Sequence, residues 1–186
     1  MLVSYQQTLW TMDADGPALS NSTSATSLIG TTIPKLTLPT NFFDKIGQKI
    51  RLKAHGRIST VVASPGTLTL DIRFGAVIVA TGGTMVLSTT AKTNVSWNLE
   101  WDLTIRAKGQ STTANLMHQG EWTSEAAGAT TVAGEAKTIM LPQSAPAVGT
   151  GFDSSATQSV DLFGTWSSAS SSNSILVHQC EIVSLN

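Results

Sequence analysis

A single cysteine in 186 residues removes the intrachain disulfide and any cysteine-rich metal site. Charge is scarce as well: Asp, Glu, Lys and Arg make up 12% of the chain and sum to a formal −1, so nothing pulls it generally toward nucleic acid or an anionic membrane. No run of about 18 apolar residues is present, which excludes a membrane-spanning helix of the ordinary kind. The opening MLVSYQQTLW lacks the basic start and continuous apolar stretch of a secretory signal, so synthesis in a cytoplasm is the expectation. Sustained helical periodicity is missing too. What the chain has instead is 41% hydrophobic residues, with Ser and Thr at about a quarter of all positions. Its polarity comes from hydroxyls rather than ions, a β composition and not a disordered one.

The hydrophobic residues alternate. In 67–74, TLTLDIRF, Leu68, Leu70, Ile72 and Phe74 fall on one side, while Thr67, Thr69, Asp71 and Arg73 fall on the other. The stretch 49–58 repeats the pattern with Ile50, Leu52, Ala54 and Ile58 inward, and Lys49, Arg51, Lys53, His55 and Arg57 outward. In 96–106, Trp97, Leu99, Trp101, Leu103 and Ile105 oppose Asn98, Glu100, Asp102, Thr104 and Arg106. These three stretches predict half-buried strands.

Fainter strands are expected at 3–12, 27–38, 59–63, 76–80, 84–89, 115–123, 138–141, 158–167 and 174–185. Turn signals separate them at Ser64-Pro-Gly66, Gly75, Thr81-Gly-Gly83 and Lys108-Gly-Gln110, where glycine accepts positive φ and proline presets a corner. The serine-rich 167–174 reads as a flexible hairpin loop, and 41–47 as one short helical turn closed by Gly47. Two long segments rich in Ala, Gly, Ser and Thr, 120–134 and 142–157, read as projecting loops. Many short strands with almost no helix predict an all-β fold, an antiparallel β-sandwich or jelly roll. One domain spanning 1–186 is expected, with 1–21 an extended N-terminal segment available for contact.

The search for chemistry returns little. His55, His118 and His178 are far apart, and none has a carboxylate or cysteine at a ligand spacing. The run Asp13-Ala-Asp-Gly16 resembles only the start of a calcium loop, so no cofactor or metal is expected. Nucleophile-elbow and phosphate-loop motifs are absent, and the reading is that the chain is not an enzyme. The row Lys49, Arg51, Lys53, His55, Arg57 concentrates positive charge and is a candidate contact stripe. Its alternative reading is a solvated face balanced by Glu100, Asp102 or Asp71. Without interleaved aromatics the stripe is not a nucleic-acid site. Trp97 and Trp101 read as core, and Trp122, beside an Ala/Gly loop, as an exposed contact platform. Cys180, within the apolar run 175–183, reads as a small core residue.

Taken together, TTIP at 31–34, NFF at 41–43, GQKIRLKAHG at 47–56, TLTLDIRFG at 67–75 and WNLEWDLTIR at 97–106 resemble the small jelly-roll virion proteins of tailed bacteriophages, of the capsid decoration or cement type. That resemblance spans 31–106 and rests on strand patterns. It implies a non-enzymatic homotrimer, made in the host cytoplasm, that binds the major capsid protein on the outside of the virion and stabilises the shell. The competing expectation is a carbohydrate-binding jelly-roll module or fibre tip recognising a host glycan through Trp122 or Trp166, with a structural calcium near Asp13 or Asp153.

Overall fold

The computed structural model describes residues 6–61, 63–128 and 134–186, and among these there is no helix. Strands form two antiparallel sheets. The larger holds, in spatial order, β1 (Gln7–Thr11), β13 (Ser174–Ser184), β5 (Lys49–Thr60), β9 (Lys92–Ala107), β10 (Asn115–Ser124) and β11 (Lys137–Leu141), with β2 (Leu19–Ser20) also on β13. The smaller holds β3 (Thr26–Ser27), β12 (Gln158–Trp166), β6 (Thr67–Phe74) and β7 (Val77–Thr81), with β4 (Thr37–Leu38) on β12 and β8 (Met85–Val86) on β6. The sandwich expected from alternation is the observed fold.

The three strongest alternating stretches become β5, β6 and β9, and their apolar residues are buried between the sheets. Phe74 packs edge-on against Phe152 at 5.0 Å between ring centroids, and Phe43 closes the same cluster. In β10 the inward positions are Leu116, His118, Gly120, Trp122 and Ser124. Gly120 lies opposite Trp101, where a Cβ would come within 2.4 Å of the Glu100 carbonyl oxygen and 2.8 Å of the indole. Only glycine lets these two backbones and the ring share that space.

Several expectations are corrected. The strand expected at 27–38 is two short ones, β3 and β4, because Gly30 at φ +84° and Pro34 break the extension between them. Residues 59–60 continue β5, and 84–89 contributes only β8. The 41–47 segment is not helical; it closes with a reverse turn in which Gln48 N donates to Lys45 O at 3.4 Å. Thr81-Gly-Gly83 does not reverse the chain, since β7 and β8 both pair with β6 along one edge. By contrast, Gly75 at φ +58° does turn the β6–β7 hairpin.

The serine-rich 167–173 is a crossover between sheets rather than a hairpin loop, because β12 and β13 lie in different sheets. Asn173 anchors it from a fully buried position: Nδ2 donates to Pro65 O at 2.8 Å, and Oδ1 accepts from Val61 N at 2.9 Å. The 142–157 segment does not project. It bridges to β10 at Met117–Val148 and to Ala114 at Phe152, whose ring is buried. The 120–134 segment begins inside β10, and residues 129–133 lie outside the described residues.

Two parts of the N-terminal segment join the larger sheet. Gln7–Thr11 and Leu19–Ser20 pair with β13, and between them Met12 N and Gly16 N donate to Cys180 O and Val177 O. The first part of that expectation, 1–5, lies outside the described residues.

Candidate docking face

Strand alternation turns one face of the larger sheet outward, and antiparallel register arranges its side chains in rows. One row reads Glu181, Lys53, Glu100, Glu121, Met140 from β13 across to β11. The next reads Val183, Arg51, Asp102, Gln119. A third reads Gln179, His55, Asn98, Thr123, Thr138, with the two threonine hydroxyls 2.7 Å apart. Three shallow depressions of about 330, 310 and 470 Å³ lie along these rows, the largest between His55, Asn98, Thr123 and His178.

The positive stripe is largely answered from within this face. Asp102 accepts from Arg51 Nε and Nη2 and from Lys49 Nζ, while Glu100 lies 2.8 Å from Arg51 Nη1 and 3.6 Å from Lys53 Nζ. Burial pushes the Asp102 carboxyl upward, but the Arg51 and Lys49 hydrogen bonds outweigh it and hold the group below the ordinary carboxylate value. Donating to Asp102 in turn raises the pKa of the Arg51 guanidinium and keeps it charged. Arg57 and His55 remain exposed at one end. Of the three acids expected to balance the stripe, Asp71 is in the other sheet, 3.6 Å from Arg73.

Trp122 is not a platform. It pairs in register with Leu99 and Ile139, its side chain points between the sheets, and none of it is exposed. Trp166 is buried as well, with Nε1 donating to Leu19 O at 3.1 Å. The glycan expectation therefore loses both of its aromatic surfaces, because a ring that fills the core cannot stack on a sugar. Among the described residues the large exposed apolar side chains are Ile46, Ile78, Val86, Met140 and Val148, all aliphatic or thioether.

His55 and His178 line one depression, while His118 lies elsewhere. His178 Nδ1 lies 2.9 Å from Asp15, His118 is buried against Trp101, and His55 faces solvent. Asp153 accepts from Ser111 N, Ser155 N and the Ser155 hydroxyl, so its oxygens are engaged by the loop itself; the Ser155 hydroxyl leads in holding its carboxyl low. Cys180 is buried, and desolvation pushes its thiol up to about 12. Among the described residues no group of three or more His, Cys, Asp or Glu is placed to hold a metal ion.

Sequence reading missed the burial of Asp71 and Asp161 on the opposite outer face. There Lys35 pairs with Asp161, the Ser27 hydroxyl donates to it at 2.8 Å, and Arg73 lies 3.9 Å over the Phe163 ring. It also missed the Trp101–His118 contact, although alternation along 115–124 puts His118 and Trp122 on one face.

The chain matches no protein-family model and no curated protein. Among solved structures it is similar to the CBM2 module of the evolved Dit of Lactobacillus casei BL23 phage J-1, at 11% identity and a TM-score of 0.41, with 100% of this chain and 99% of that chain covered.

Proposed function

We propose that the chain is a non-enzymatic structural protein of a tailed-phage virion, of the decoration or cement kind, and that the outer face of its larger sheet docks on the capsid. One observation carries the reading: this wide, open face has its central cations, Lys49, Arg51 and Lys53, paired with its own Glu100 and Asp102. Docking such a face on protein leaves those cations matched, while Glu121 and Glu181, which make no ion pair among the described residues, and the amides of Asn98, Gln119 and Gln179 remain to meet partner groups. The phage-type strand patterns between residues 31 and 106 support the same assignment. Repetition of one modest interface over a shell, together with assembly as a homotrimer, would supply strength through multivalency.

Asn98→Arg and Gln119→Arg place a bulky charge on exposed positions of this face and leave the core alone. Both variants should lose co-sedimentation with empty capsids while melting like the parent protein. Undiminished binding by both would remove the face from the proposal. Glycan recognition is the second reading, favoured by the polar depression between His55, Asn98 and Thr123. Saturable binding on a glycan array, abolished by Asn98→Arg and without capsid association, would replace the first reading with this one.

A further inference from the structure

Beside β7 lies a groove of about 220 Å³ that is separate from the docking face. Ile78 and Ala80 of β7 form one wall, and Pro142, Ala145 and Val148 form the other; no Asp, Glu, Lys or Arg lines it. Ile78 and Val148 are 37% and 49% exposed, so a concave site carries two of the large aliphatic side chains that the described residues leave to water. Apolar rims of this kind mark contact sites.

His118 belongs to the lining of this groove and is itself only 5% exposed. Trp101 Nε1 donates to its Nδ1 at 3.3 Å, which assigns the ring proton to Nε2. Burial pushes the imidazole pKa down, so the neutral ring offers one N–H and no charge. Among the described residues that N–H has no hydrogen-bond partner. The atom opens to the groove rather than being sealed from water, so an oxygen supplied by a ligand would take the place of water there.

We propose that the groove binds one uncharged aliphatic residue of a partner polypeptide, its side chain between Ile78 and Val148 and its main-chain carbonyl accepting from His118 Nε2. The volume equals that of about seven waters at roughly 30 Å³ each, which suits one such residue and is small for a disaccharide. A charged residue would lose hydration there with no counter-ion to replace it. The inference stands independently of capsid docking, which uses the other sheet's outer face.

The test is titration of N-acetyl-leucine methylamide into the ¹⁵N-labelled full chain, read from the His118 imidazole nitrogens in long-range ¹H–¹⁵N spectra. A ligand of this size should bind at roughly millimolar concentration, with a saturable Nε2 shift. Ile78→Glu and Val148→Glu alter exposed positions and should keep the fold while weakening binding about ten-fold, a loss of ~1.4 kcal/mol. N-acetyl-aspartate methylamide should leave the His118 signals in place. The proposal is overturned by no saturable shift up to about 50 mM probe, some fifty times the expected constant. It is equally overturned by the same response to the aspartyl probe, to a disaccharide, or in both rim variants.

Discussion

Removing the Arg51–Asp102 pair tests whether the charged rows hold strand register or wait for a partner. Arg51 reaches Asp102 through Nε and Nη2, the second at 3.0 Å, and the side chains are 28% and 23% exposed. Opposed charges on neighbouring strands contribute about 0.2–1 kcal/mol. Ionised partners make a hydrogen bond roughly twice as strong as a neutral one and two-point contact adds to it, while residual exposure and salt pull the figure back. A double-mutant cycle on Arg51→Ala and Asp102→Ala, measured by urea unfolding, should therefore give a coupling of about 1 kcal/mol at pH 7.

The pH dependence has a definite sign. The folded-state pKa of Asp102 lies below the ordinary 3.8, so the unfolded chain binds the proton more readily. The contribution is complete above 3.8 and disappears as pH falls through the lower, folded value. Near 1 M salt, where the screening length is about 3 Å, the coupling should shrink but not vanish, because the contact is direct and partly shielded. A coupling below about 0.3 kcal/mol at pH 7, within the scatter of independent sites, would refute the register role.

Trp122→Ala should destabilise the fold by about 3–5 kcal/mol and lower the melting temperature by roughly 10 °C, since the ring is fully buried; an unchanged calorimetric melt would contradict its place in the core. Deleting residues 1–21 strips β1 and β2 from β13 and takes buried Leu19 from the core, so the shortened chain should aggregate or melt early. A cooperative, monodisperse product in calorimetry and gel filtration would show that this edge is dispensable. Cys180 should resist a thiol reagent at pH 8 in the native protein and react fully in urea, because burial keeps its thiol protonated. Fast native labelling would place it at the surface.

Alternation along 49–58, 67–74 and 96–106 was sufficient to say which side chains enter the core; the outward residues offered Glu100, Asp102 and Asp71 as partners of the cations, and only the fold selects the first two. The sorting into inward and outward follows from the two-residue repeat of a strand, a property of the chain itself. The same logic, applied to 115–124, places Trp122 inward; the adjoining Ala and Gly residues obscured this by resembling a loop. Asn173 carries no local signal at all, since a lone asparagine in a serine run becomes an anchor only where Pro65 and Val61 arrive from elsewhere.

From the sequence alone came the fold class and the inward and outward sides of the long strands, because a pleated strand sorts neighbouring residues onto opposite faces wherever it lies. Tertiary structure decided what covers each face. Asp71 and Asp161 point away from the sandwich interior and are nevertheless 6% and 5% exposed, with Lys35 folded across Asp161. Likewise Ile78 and Val148, 70 positions apart, share one groove above His118 only because the 142–150 segment returns alongside β7. Such meetings are set by the long-range path of the chain between two sheets, which a period-two pattern does not encode.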